Sequence, residues 1–172
     1  SGFQVPAVAR TVIRLDPGLA FGTGTHETTR LCLEYLDGLD VSGCSVIDYG
    51  CGSGVLGIGA ALKGASTITA IDTDPQALTA TRENARRNNV ELRADLPGHR
   101  LEAADLVFAN ILAQPLTELA PTLVNTLRQD GLLILSGIMT SQRDWVVGAY
   151  DHLAELVEEA ELNGWIRLVW KR

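Results

Sequence analysis

Cysteine, methionine and aromatic residues are scarce in this 172-residue chain, which has three Cys, one Met and 5% Phe, Trp and Tyr together. Cys32, Cys44 and Cys51 are odd in number and form no C-x-x-C pair, which points away from a disulfide framework and from a thiolate zinc site. The expectation is a reducing, cytoplasmic setting with no metal. No stretch approaches the ~18 consecutive apolar residues of a membrane span, so no membrane partner is expected. Positive charge is also short, with 14 Lys and Arg against 21 Asp and Glu and a net charge of -7. That balance argues against a surface built to grip phosphates, so no direct nucleic-acid partner is expected, and it suits a basic protein partner. No charged-then-apolar leader opens the chain and Ser1 is not a methionine, so a segment of something longer is expected.

What is present in quantity is glycine, at 17 residues. The length fits one domain, since domains typically run ~100–200 residues. Residues 1–25 mix Pro6, Pro17 and a dense Gly/Thr run, and read as an arm ending in a shaped loop. Helical spacing over 28–36 is closed by Gly38. A strand at 45–49 then runs through Gly50, Gly52 and Gly54 into a compact apolar helix at 55–62. A strand at 67–71 and a helix opening at Pro75 and ending near 88 follow. Further strands are expected at 90–93, 105–109 and 131–135, with helices at 116–127 and 142–150. Strand alternating with helix at this rhythm predicts a parallel sheet covered on both faces. The runs 153–159 and 165–170 flank Asn163-Gly164, a hairpin signal, so the sheet should close with an antiparallel pair. The fold class is therefore α/β, Rossmann-like, with a seven-stranded mostly parallel sheet and a C-terminal antiparallel hairpin.

In such sheets ligands bind beyond the carboxyl ends of the strands. After the first strand comes Gly50-Cys51-Gly52-Ser53-Gly54, where absent Cβ atoms let backbone N–H groups approach a ligand. Val55 stands where a dinucleotide fingerprint wants a third small residue, which counts against a pyrophosphate ligand and an NAD-dependent reductase. The Tyr-x-x-x-Lys of short-chain reductases is missing as well. After the second strand, Asp72 lies 22 residues beyond Gly50, at the distance of a ribose-binding carboxylate. Asp74, directly before Pro75, suits the competing task of capping the helix. His26, beside a helix start, reads as a capping or surface residue rather than a base. Trp145, Trp165 and Trp170 read as packing rather than as a stacking platform.

The segments VIDYGCGSG, AIDTDP and ADLVFANIL resemble the class I S-adenosylmethionine-dependent methyltransferases. More narrowly, LDPGLAFGTGTHETTRLCLEYLDG, DPQAL, ANILAQPLTELAP and LSGI resemble the catalytic domain of the family that methylates large-subunit ribosomal protein eleven. The resemblance implies a protein N-methyltransferase acting on lysine and N-terminal amino groups, with S-adenosylmethionine as cofactor and a ribosomal protein as partner. It implies cofactor contacts at Thr29, Gly50, Gly52, Asp72 and Asn110, with Asn110 also positioning the acceptor. Residues 1–27 would form an arm and a loop over the methionine end, with Gly18, Gly22 and Gly24 shaping it. Glu27 stands where many members have proline, adding a negative charge there. Asp95 is a candidate neighbour of the adenine amino group. Asn110-Ile111-Leu112 replaces the Asn-Pro-Pro-Tyr of amino-directed relatives. The family's enzymes also carry an N-terminal substrate-recognition domain, which residues 1–172 do not match. Another protein lysine or a small amine remains an alternative acceptor, since acceptor choice lies outside these motifs.

Overall fold

The structure is a computed structural model that describes residues 11–16, 25–98 and 100–172. Helix α1 (Glu27–Gly38) precedes strand β1 (Ser45–Tyr49), α2 (Val55–Leu62), β2 (Thr67–Ile71), α3 (Pro75–Arg87), β3 (Arg93–Asp95) and β4 (Ala104–Asn110). Two short helices, α4 (Ala113–Glu118) and α5 (Ala120–Asn125), lead to a long β5 (Leu127–Met139). A 3₁₀ turn, α6 (Arg143–Tyr150), β6 (Glu155–Leu162) and β7 (Trp165–Lys171) complete the order. The seven strands lie in the order β3-β2-β1-β4-β5-β7-β6. Strands β1 to β5 pair in parallel, while β7 is antiparallel to both β5 and β6.

Strands β1, β4, β5 and β7 are buried on both faces, their successive side chains alternating between two core layers. Ile47, Val107, Leu133 and Leu168 pack with Leu116, Leu123 and Tyr150 on one side. Val46, Phe108, Ile134 and Val169 pack with Cys32, Leu36 and Leu56 on the other. Trp170 stacks on Tyr150 at 5.4 Å, and the Tyr150 hydroxyl donates to the Leu116 carbonyl at 2.7 Å. The buried Arg167 on β7 ties the hairpin to α1. Its Nη1 donates to the Leu31 carbonyl at 3.1 Å, its guanidinium lies 4.4 Å from the Tyr35 ring centre, and it pairs with Glu158.

Four elements depart most from the sequence expectation, each for a local reason. The helix expected at 116–127 is divided, because Pro121 has no N–H to donate to the preceding turn. Strand β3 begins at Arg93 rather than 90, because Asn89 adopts φ 54° and the Val90 N–H closes α3 on the Ala85 carbonyl at 3.0 Å. Strand β6 begins at Glu155 rather than 153, since Leu153 and Ala154 donate to the Tyr150 carbonyl and finish α6. Strand β5 extends beyond 131–135 in both directions, its first part set off by Asp130 at φ 62° and a register shift against β4. The loop glycines Gly18, Gly22 and Gly24 lie outside the described residues.

Candidate functional site

Strand order reverses between β1 and β4, and the carboxyl ends of the strands there open into a cavity of about 840 Å³. That volume falls within the ~300–1,000 Å³ usual for small-molecule sites. The β1–α2 loop forms its floor. Gly50, Gly52 and Gly54 take φ values of 75°, 54° and 80°, a region favouring glycine. The Gly50 and Cys51 N–H groups both donate to the Ile71 carbonyl, at 2.7 and 3.0 Å. Helix α3 holds the loop from behind. Thr81 Oγ1 donates to the Gly52 carbonyl and Asn84 Nδ2 to the Ser53 carbonyl, each at 3.0 Å.

Asp72, just after β2, accepts from the Gly52 N–H at 2.9 Å through Oδ2 and from the Asp74 N–H at 3.0 Å through Oδ1. Asp74 caps α3, accepting from the Gln76 N–H at 2.9 Å, as the sequence suggested, and Asp72 has no part in that cap. Asp48, on β1, is buried in the cavity wall and accepts from the Gly57 N–H at 2.9 Å. Burial pushes its carboxyl up to about 7; the Gly57 N–H opposes this shift and the Asp72 charge adds to it.

On the far side, Asn110 ends β4 and its Nδ2 donates to Thr29 Oγ1 at 3.2 Å. Helix α1 is fixed there by Ser136 Oγ, which donates to the Thr28 carbonyl at 3.1 Å. His26 is the N-cap of α1, its side chain accepting from the Thr28 N–H, and its ring meets the Trp165 ring edge to face at 5.0 Å. Ile111 is wedged between two glycines. A Cβ on Gly50 would lie 2.2 Å from Ile111 Cγ2, and one on Gly137 2.2 Å from the Ile111 carbonyl oxygen.

Thr29, Gly50, Gly52, Asp72 and Asn110 therefore all line one cavity. Asp95 does not: it is the last residue of β3 and pairs with Arg93, while Pro97 lines the cavity instead. The tryptophan expectation holds for Trp170 only. Trp165 lines the cavity because it opens β7 beside the sheet's ligand-binding edge, and Trp145 is half exposed on α6. Sequence reasoning missed Asp48, Thr81, Asn84, Ile111 and Gly137. The detectable signal was polar residues at the buried positions of α3 and an acidic residue inside an otherwise apolar strand. No Lys or Arg is among the described lining residues, and no group of three or more His, Cys, Asp and Glu among them could hold a metal.

The family model of ribosomal protein L11 methyltransferase (PrmA) matches residues 4–172. The chain belongs to this family. Ribosomal protein L11 methyltransferases from Marinobacter nauticus and Methylococcus capsulatus are 55% and 51% identical to it over 176 residues, covering 100% of the chain. The chain spans 59% and 60% of the length of those two relatives. A crystal structure of the ribosomal protein L11 methylase from Lactobacillus delbrueckii subsp. bulgaricus matches with a TM-score of 0.88 and 34% identity, covering 100% of this chain and 91% of that one. The N-methyltransferase NodS from Bradyrhizobium japonicum, in complex with S-adenosyl-l-homocysteine, shares the fold at a TM-score of 0.68 and 15% identity, with 86% and 88% covered. No described helix of this family member is long and apolar enough to cross a membrane.

Proposed function

We propose that this chain is the cofactor-binding, methyl-transferring domain of a cytoplasmic protein N-methyltransferase. Its acceptors are lysine and N-terminal amino groups of ribosomal protein L11. The observation that carries the reading is the convergence of Thr29, Gly50, Gly52, Asp72 and Asn110 on one cavity in a chain of this family.

The residues present fit S-adenosylmethionine. Asp72 spends one lone pair of each oxygen on a backbone N–H and keeps the others for two ribose hydroxyls. Ile71 and Pro97 offer apolar surface beside it for a base. Gly50 lines the cavity, and its missing Cβ lets Ile111 pack directly on the loop beside the ligand space. Asp72 supplies a carboxylate, and no Lys or Arg is in the described lining to oppose a positively charged ligand. Thr28 and Thr29 present hydroxyls at the α1 N-terminus, where the helix dipole favours the carboxylate of a methionine moiety. When bound, S-adenosylmethionine supplies a methyl group on a sulfonium, which an amine displaces in line.

The chain's part is to position and to exclude water. Asn110 Oδ1, opposite the amide nitrogen bonded to Thr29, is free to accept from an acceptor amine and aim its lone pair. A lysine amine has an ordinary pKa of about 10.4 and must shed a proton to water before attack. His26 is committed to capping α1, which supports leaving no base role to it.

Labelled S-adenosylmethionine with large-subunit ribosomal proteins tests the reading. Label on the named ribosomal protein supports it, and no label on any protein sinks it. Label only on another protein or on small amines favours the same chemistry with a different acceptor. Calorimetry with NAD and with S-adenosylmethionine separates a reductase: binding of NAD alone reverses the assignment. The family resemblance assigns target recognition to a separate domain, so residues 1–172 alone are expected to bind cofactor and turn over the protein target slowly.

A further inference from the structure

The cavity is longer than the residues assigned to the cofactor. Those residues lie on α1 and at the ends of β1, β2 and β4, yet the lining continues across β5 and β7 to Gly137 and Trp165. We propose that Trp165 is an acceptor-binding residue: its ring, braced by His26, receives the lysine chain and its ammonium before the amine reaches Asn110. This rests on the methyltransferase reading.

Three observations converge on it. First, Trp165 opens β7 opposite Met139 of β5 and is only partly buried, so the ring edges a continuous wall of the same cavity. Second, the ring is held in place. His26 meets it at 5.0 Å with the planes 72° apart, and His26 is itself fixed by its bond from the Thr28 N–H. A pre-set aromatic face costs little entropy on binding. Third, the chemistry matches an alkyl-ammonium. Leu112, exposed at 70%, gives the cavity an apolar edge, and the described lining carries the Asp72 carboxylate and no Lys or Arg. An aromatic face attracts a cation placed within about 6 Å, and the methylene stem packs on the same ring. A neutral or anionic acceptor would gain neither benefit.

The test uses the full-length protein with Trp165→Ala, Trp165→Leu and Trp165→Phe. Calorimetric affinity for S-adenosylmethionine and steady-state rates against ribosomal protein concentration are measured for each. The expected result is cofactor affinity within about twofold of the unsubstituted protein for all three. KM for the protein acceptor should rise about five- to thirtyfold in W165A and remain raised in W165L, and be largely restored in W165F. An unchanged acceptor KM in W165A overturns the inference and leaves the function standing. W165L equal to W165F overturns its aromatic basis. Weakened cofactor binding in W165F would place Trp165 in the cofactor site instead and overturn it too. No transfer by the unsubstituted protein sinks the methyltransferase reading, and this inference with it.

Discussion

Asn110 and Thr29, 81 residues apart in the chain, meet through a 3.2 Å hydrogen bond from the Asn110 amide to the Thr29 hydroxyl. The bond joins the end of β4 to the first turn of α1 and fixes which face of the amide looks into the cavity. Asn110→Ala removes both the tie and the acceptor oxygen. It should lower kcat about tenfold or more. Thr29→Val removes the tie and the hydroxyl offered to the cofactor but keeps the acceptor oxygen of Asn110, so at saturating cofactor it should cost less in kcat. Single-turnover rates at saturating cofactor check the order.

Asp72 accepts backbone N–H groups from two sides, so its charge serves the loop as well as a ligand. In Asp72→Asn one oxygen becomes an N–H₂ group facing an N–H donor. A hydrogen bond to a charged group contributes ~1.5–3 kcal/mol, so S-adenosylmethionine affinity should fall about ten- to hundredfold. Asp74→Ala, by contrast, should cost about 1 kcal/mol of stability through the lost cap, with little change in affinity. Calorimetry and urea unfolding separate the two.

Asp48 binds its proton up to about pH 7 when folded, against an ordinary value of 3.8. Between those values the folded state holds more protons than the unfolded one, so stability falls as pH rises through that window and levels off above it. Asp48→Asn keeps the acceptor for the Gly57 N–H and removes the titration. The stability of D48N relative to the unsubstituted chain should therefore grow by up to about 1.4 kcal/mol per pH unit between pH 4 and 7, and then stay constant. Urea midpoints across that range measure it, and a flat difference would contradict it.

Gly50 and Gly137 grip Ile111 in different ways. At Gly50 the obstacle is a side-chain methyl, at Gly137 a backbone carbonyl. Both glycines have positive φ, which costs a side chain ~1–2 kcal/mol in addition. Gly50→Ala should thus be partly rescued by Ile111→Ala, whereas Gly137→Ala should not. A double-mutant cycle read by thermal unfolding gives the two coupling energies.

The parallel sheet, α2 and the Asp74 cap were legible because they depend on local pattern: alternating strand and helix, a glycine cluster, a proline at a helix start. The positions of Asp95, inside β3 rather than after it, and of Trp165, on the cavity wall, were not legible because they depend on neighbours distant in sequence. Asp95 fell inside β3 once Val90 was used to close α3. Trp165 reached the cavity because β7 lies between β5 and β6, an order that no spacing within the hairpin specifies. The roles of Ile111 and Gly137 were invisible for the same reason, since they rest on contacts of Ile111 with Gly50 and Gly137, distant in sequence.

Arg167 bonds to the Leu31 carbonyl across 136 residues, and Ser136 to the Thr28 carbonyl across 108. The α1 wall of the cavity is thus secured by strands synthesised long after it. A nascent chain that has emerged only as far as β4 already owns Gly50, Asp72, Asn110 and the Asn110–Thr29 bond, but lacks the two bonds from β5 and β7 that fix the α1 backbone. Cofactor capture should therefore switch on late in translation, when β7 inserts between its two neighbours, and stalled shorter chains should remain unable to bind it.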